Sequence, residues 1–413
     1  MRFRRDEVAS FAPDSLRALG ARHGWLVETP DELRVGFGRA VVRVHLTAGL
    51  ATPTDARAEL DVHDIGGADG PAGSGVVAFG SLPFDRTATG LLEIPEWCVT
   101  QLRNGDAWLT KVEGSSDPRS IIDATIAPDQ GLLRVRDVSY QPAPDEYAHR
   151  VAQAVEILRR KEIDKVVLAR AVVGSVEEPI DPAAVAQRLR AREPVCTLYS
   201  LPTPGGRRLV GASPELLLRR RGGEVLCHPL AGTIALPADT SPDDYHTWLL
   251  GSTKNLHEHE IVVDDIVRNL AQAYDDIDAD ARPSIVALRT VAHLGTWISA
   301  RSHDAPSAPD ALDVLRMLHP TAAVGGIPRE RAYELLRQLE LNDRGHFAGP
   351  LGWMDQEGDG DWWIAIRGVV VEERNFEAWA GAGIVSESDP VAEREETANK
   401  LAAVLSAVVA ESL

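Results

Sequence analysis

The chain has 413 residues, 44% of them hydrophobic, which is enough for a sizeable core and one or two domains and excludes a disordered polymer. Its 43 Lys and Arg against 62 Asp and Glu leave a formal charge of −19. That field repels polyphosphate, so nucleic acid is excluded as a partner and an anionic ligand needs local cations. Three widely spaced cysteines, Cys98, Cys196 and Cys227, fit neither a disulfide framework nor a metal-ligand spacing and point to a reducing compartment. The charged start, Met1-Arg-Phe-Arg-Arg, lacks the apolar stretch of a signal peptide, and no apolar run is long enough to span a bilayer. The expectation is a soluble cytoplasmic protein with no membrane partner.

Residues 1–140 are rich in Gly, Pro, Asp and short alternating runs, a β-rich pattern. Strands are expected over Val35–Leu46 and Gly75–Phe84, and a hairpin over Ile94–Thr100 and Asp106–Val112. Ala68–Ser74 reads as a glycine-rich loop. Gln141-Pro-Ala-Pro-Asp marks a boundary, after which residues 141–413 form the remaining region. An amphipathic helix from Glu146 to Lys161 places Val151, Val155, Ile157 and Leu158 on one side, and the strand Ile163–Val173 follows it. Next come a helix over Pro182–Arg192 and short strands to Cys227. One long helix is expected over Pro242–Tyr274, with a strand over Arg289–Leu294. Helices near Asp310–Leu318 and Pro328–Leu339 precede a meander, Gly349–Met354, Asp361–Glu372 and Glu377–Ile384, and a last helix runs to Ala410. Strands and helices fall in uneven blocks without β-α alternation, which argues α+β with mostly antiparallel sheets. The first 140 residues are expected to complete the sheet core of one unit.

Three tempting motifs fail. His257-Glu-His-Glu-Ile lacks the second histidine of a zinc-protease helix at the required spacing. Asp355-Gln-Glu-Gly-Asp-Gly-Asp begins like a calcium loop, but its closing position is Ile366, and a hairpin turn fits better. Gly381-Ala-Gly is a fragment of a dinucleotide fingerprint outside any βαβ unit. In the final helix Glu393 and Glu396 share a face that Lys400 extends. Beside the glycine turn, this set suits either a divalent cation with an anionic ligand or a solvated face with a Glu-to-Lys ion pair.

Eight segments in order resemble the chorismate-utilising family, which includes isochorismate, anthranilate, aminodeoxychorismate and salicylate synthases. They are Lys165-Val-Val-Leu-Ala-Arg, Gly211-Ala-Ser-Pro-Glu-Leu-Leu, His228-Pro-Leu-Ala-Gly-Thr, Lys254-Asn-Leu-His-Glu-His-Glu, His293-Leu-Gly-Thr, His319-Pro-Thr-Ala-Ala-Val-Gly-Gly-Ile-Pro, Gly358-Asp-Gly-Asp-Trp-Trp-Ile-Ala-Ile-Arg and Gly381 to Lys400. The resemblance covers about residues 145–413. It implies two large antiparallel sheets packed together with helices around them, and a Mg²⁺ site for the ring carboxylate of chorismate. Glu258 and Glu396 resemble the metal ligands, and Glu393 a carboxylate behind them. Arg367 matches a carboxylate-binding arginine, whose planar fork suits that group, and Lys400 would hold a substrate oxygen. Gly232, Ala323 and Gly381 match positions where small residues let backbone approach the ring.

The resemblance also bears on subtype. Amine-forming members carry Gln where this chain has Lys165, and members that use water carry Lys. A neutral Lys165 can serve as general base toward water, and a protonated Glu215 as general acid toward the departing C4 hydroxyl. Ala231 stands where aminodeoxychorismate synthases carry a nucleophilic lysine. Asn255 replaces an acid frequent in relatives, and Ile234-Ala-Leu replaces arginines. The expected enzyme is an isochorismate synthase, monomeric and without a glutaminase subunit. Salicylate synthase is the nearest rival; an amine-forming synthase and a non-catalytic binder of chorismate-like anions are more distant readings.

Overall fold

The strand Lys165–Val176 explains its own composition. Residues Lys165 to Val172 are all buried, as a strand covered on both faces requires. It pairs antiparallel with Asn375–Ile384 in ten consecutive positions, from Asn375 opposite Ser175 to Ile384 opposite Val166, and with Val135–Gln141 on its other edge. This register sets Gly381 opposite Ala169 and Gly383 opposite Val167, so the glycine turn of the sequence motif lies flat beside the start of the lysine-bearing strand.

The computed structural model describes residues 1–46, 50, 58, 64–237 and 240–411. Among them, hydrogen bonds join twenty strands into one continuous sheet, and three short strands, Leu230–Ala235, Ser284–Ala287 and Val291–Gly295, form a second. The two expected large sheets are therefore linked through their hydrogen bonds. Pairing is antiparallel apart from Arg2–Val8 beside Asp64–Gly67 and an isolated Leu133–Val409 bridge. The first 140 residues enter the common sheet: Trp25–Glu28 pairs with Thr197–Thr203, and Val77–Ser81 with Pro350–Asp355. One apolar core joins Val151, Val166, Leu217, Val262, Leu315 and Trp362. A second joins Leu16, Val35, Val185, Val369 and Leu401. A third is aromatic, with Trp25, Phe79, Trp353 and Trp363. No described helix is long and apolar enough to cross a membrane.

Three elements differ from the sequence expectation. Pro13–His23 is a helix, with Pro in its first turn and Leu16 and Leu19 buried; its roughly three turns are too short for periodicity to outweigh the surrounding turn residues. The single helix over Pro242–Tyr274 is two, Pro242–Leu250 and Thr253–Leu270. Gly251 and Ser252 interrupt it, and the Ser252 side chain accepts the Asn255 N–H, capping the second helix. That restart sets Lys254 and Glu258 on successive turns. The strand over Asp361–Glu372 is also two, Gly360–Ile364 and Gly368–Glu372. Arg367 lies in the break with φ +55°, a left-handed conformation uncommon for any residue but glycine. Beyond Gly345, the loop to Pro350 is fastened by Arg344, which bonds the carbonyls of Val167 and Val324.

Candidate active site

Where Lys165–Val176 meets Asn375–Ile384, the missing side chain of Gly383 leaves room for an ion pair. A Cβ there would lie 2.0 Å from Glu258 Oε1 and 3.0 Å from Lys165 Cε. Lys165 is fully buried, and its Nζ lies 3.1 Å from Glu258 Oε1, an ion contact not aligned as a hydrogen bond. Two further pairs sit alongside. Lys254 Nζ donates to Glu393 Oε1 at 2.6 Å, and Lys400 Nζ donates to Glu396 Oε1 at 2.6 Å and to the Gly381 carbonyl at 2.9 Å. The chain carries only five lysines against 38 arginines, and three of the five hold these three carboxylates.

The groups feel one another. Burial works to raise the Glu258 carboxyl, but Lys165, Lys254 and Lys400 outweigh it and hold it below the usual range. Glu393 goes the other way: burial and the charge of Glu396 push it up against the pull of Lys254. Lys254 is raised, because Glu393 and Glu258 together outweigh its own desolvation. Buried charges persist only when paired in this way.

These groups border a pocket. Glu258, Glu396 and Lys400 are part of its lining. Glu215 lines it too, from the link between Arg207–Ser213 and Leu216–Arg221. Its backbone N–H donates to Ser213 Oγ, which donates to the Ile364 carbonyl. Glu215 is 3% exposed, among Val167, Leu230, Ile366 and Trp379. Burial raises its carboxyl to about 8, against the opposing pull of Lys165, the Leu230 backbone and Lys400. It is a carboxylic acid that keeps its proton at neutral pH.

A third group of residues comes from the break at Arg367 and from the small sheet. Arg367 Nη2 lies 3.1 Å from His293 Nε2, and Thr233 Oγ1 lies 2.9 Å from His293 Nδ1. Burial, with Arg367 and Lys400 adding to it, drives the His293 imidazolium far below its ordinary range, so the ring is neutral. Thr233, His293 and Arg367 all line the pocket.

Of the residues singled out from sequence, Glu215, Glu258, Glu396 and Lys400 border the pocket together with Ala323, Arg367 and Gly381. Lys165 lies behind Glu258, and Glu393 behind Glu396, and neither is part of the lining. Gly232 does not border the pocket either. Its φ is +72°, and a Cβ there would stand 2.8 Å from the Asn255 carbonyl; the close approach it permits is to the helix backbone, while its neighbours Ala231 and Thr233 face the space. Sequence reasoning passed over Gly383, Lys254, Thr233 and His293. All four lie inside the motif segments, but their parts depend on partners 60 or more positions away, which spacing does not reveal.

Among the described residues no three acidic, histidine or cysteine side chains approach closely enough to hold a metal alone. Glu258 and Glu396 nevertheless both line the pocket with hard oxygen donors. Few carboxylates, completed by water and ligand oxygens, is the usual way Mg²⁺ is held, so the donor set fits that ion.

A sequence profile described as "Chorismate binding enzyme" matches residues 60–409. A putative isochorismate synthase MenF of Mycobacterium tuberculosis (strain ATCC 25618 / H37Rv) is 36% identical over 351 residues, spanning 82% of this chain and 88% of that protein. Isochorismate synthase EntC of Escherichia coli (strain K12) is 32% identical over 330 residues, spanning 80% of each. The structure of MenF, the menaquinone-specific isochorismate synthase from Escherichia coli, superposes with a TM-score of 0.81 at 26% identity, covering 98% of this chain and 94% of that one.

Proposed function

The chain belongs to the chorismate-binding enzyme family, and from that premise we propose that it converts chorismate to isochorismate with Mg²⁺ as cofactor. The observation that carries this reading is a carboxyl, Glu215, raised to about 8 in a pocket that Glu258 also lines, with the buried Lys165 behind Glu258 at 3.1 Å. A raised carboxyl and a lysine withheld from solvent are the acid and base that adding water at C2 and losing the C4 hydroxyl require.

Glu215 gives its proton to the departing C4 hydroxyl, which leaves as water. Lys165 takes a proton from the water that adds at C2, as the double bonds shift between. One water enters and one leaves, so the composition is unchanged. Glu258, which holds Lys165 at 3.1 Å, also borders the pocket. Glu258 and Glu396 would hold Mg²⁺, with Glu393 behind them, and the bound ion would anchor the ring carboxylate and stabilise charge there. Arg367 and Lys400 face the substrate's remaining anionic oxygens. Ala323 and Gly381 keep the wall low where the ring lies. Ala231 offers no amine, which disfavours covalent amine-forming chemistry. We read the enzyme as a cytoplasmic monomer working without a glutaminase subunit.

The test is incubation with chorismate and Mg²⁺, followed by chromatographic separation of products. Isochorismate alone is expected. Salicylate with pyruvate would assign a salicylate synthase instead, and an ammonium-dependent aminated product would overturn the use of water. Elution at twice the monomer mass would refute the oligomeric reading.

A further inference from the structure

Arg170 is a buried cation that no acid answers. It lies on the strand Lys165–Val176, opposite Ala380, and is 1% exposed. No carboxylate among the described residues pairs with it. Its guanidinium lies over the rings of Tyr147 and Tyr140, 5.2 and 5.7 Å from their centroids, within the range of cation–π attraction. Nη1 has no hydrogen-bond partner. Burial pulls the group below its usual range, against the opposing effect of the two tyrosines. A side chain needed here only to pack a helix on a strand would be apolar, because an apolar group of similar size carries no desolvation penalty.

What the arginine holds is one turn of the last helix, Pro390–Leu405. Nε donates to Thr397 Oγ1 at 2.9 Å, and Nη2 donates to the Arg394 carbonyl at 3.0 Å. The buried Thr397 hydroxyl donates its one hydrogen to that same carbonyl at 2.8 Å, so toward Arg170 it only accepts. The gripped turn contains Glu396 and lies between Glu393 and Lys400, which reaches the Gly381 carbonyl. Leu401 and Val404 also fasten this helix to the second core. Apolar contact is non-directional, whereas two hydrogen bonds to fixed points of one turn set its rotation and its height.

We propose that Arg170 is a positioning residue whose grip on this turn sets where Glu396 and Lys400 stand relative to Lys165 and Glu258. That Glu258 and Glu396 take Mg²⁺ rests on the reading above; the grip does not. It joins the strand of the base to the helix of the second metal carboxylate through a single side chain.

Arg170→Met tests this, because it keeps an unbranched side chain and orphans neither partner: the Thr397 hydroxyl and the Arg394 carbonyl retain each other. The chain has five lysines, so ¹H–¹⁵N spectra of the lysine ammonium groups resolve Lys400 in the metal-free protein, identified by its loss in Lys400→Arg. In Arg170→Met that signal is expected to move, and the calorimetric affinity for Mg²⁺ alone to weaken by about 10-fold or more. The urea midpoint is expected to hold or rise. A residue needed only for folding does the reverse: a lower midpoint with the Lys400 signal and the Mg²⁺ affinity unchanged, and that result overturns the proposal. If Arg170→Met does not fold, Thr397→Val removes the acceptor on the helix. The same two changes are expected from it, with Thr397→Ser returning both to wild type; wild-type values in Thr397→Val overturn the grip. A Lys400 signal that moves as expected in a protein that takes up no Mg²⁺ would refute the metal reading while supporting the positioning.

Discussion

Lys165 and Glu258 form a 3.1 Å ion pair with side-chain exposures of 0% and 9%. Neither charge has bulk solvent to fall back on. Lys165→Ala therefore does two separable things. It leaves Glu258 buried without its nearest cation, a loss of about 3–5 kcal/mol in folding stability, and it removes the proposed base, a loss of about 10²- to 10⁴-fold in kcat. Urea unfolding and saturating chorismate turnover measure the two. Retention of more than a tenth of wild-type kcat would remove Lys165 from the chemistry.

Glu215 predicts the alkaline side of the pH profile. As an acid it must be protonated, so kcat/KM should fall as pH rises through about 8. Its contribution to stability has the same direction. The folded carboxyl titrates near 8 and the unfolded one near 4.5, so the folded state binds the extra proton between those values. The contribution is full below about pH 4.5 and is lost progressively up to about pH 8, on the order of 4 kcal/mol across the window. Glu215→Gln should be nearly inactive, and its stability relative to wild type should grow across that window. A variant whose stability tracks wild type at every pH would show that Glu215 titrates normally.

Gly383→Ala places a methyl group 2.0 Å from Glu258 Oε1. The carboxylate must move, and it has Lys165 behind it. Turnover should drop by at least about 100-fold, the usual cost of displacing a catalytic group by an ångström, with Mg²⁺ affinity by calorimetry weakened as well. Wild-type affinity in this variant would show that Glu258 does not bind the metal.

Removing divalent cations with a chelator should abolish turnover, and Mg²⁺ should restore it. Glu258→Gln and Glu396→Gln should each raise the Mg²⁺ concentration for half-maximal activity by more than tenfold. Glu393→Gln, which removes a carboxylate already engaged by Lys254 at 2.6 Å, should shift it less than either, at the low end of the roughly 10- to 100-fold range for a residue that supports ligands without being one. Equal effects at all three would make Glu393 a direct ligand.

Local pattern carried much of the architecture. The mostly apolar run after Lys165, interrupted by Arg170, is a strand buried on both faces, and Asp355-Gln-Glu-Gly-Asp-Gly turns a hairpin between Pro350–Asp355 and Gly360–Ile364. Failures came where a single residue overrides its neighbours: Ser252 capping a new helix inside an apparently continuous one, or Arg367 turning left-handed inside an apparent strand. Periodicity averages over several residues and cannot register such a switch.

The chemistry on offer was determined by the residue types themselves. A lysine in place of glutamine at 165, an alanine at 231, and carboxylates at 215, 258, 393 and 396 are all local facts of the chain. Which lysine meets which glutamate, and which groups keep or lose a proton, was decided only by folding. Lys254 and Glu393 are 139 residues apart yet 2.6 Å from each other, and Glu215 holds its proton because strands distant in the chain exclude water from it. Proton affinity depends on solvation and on neighbouring charge, and both are properties of the space around a residue.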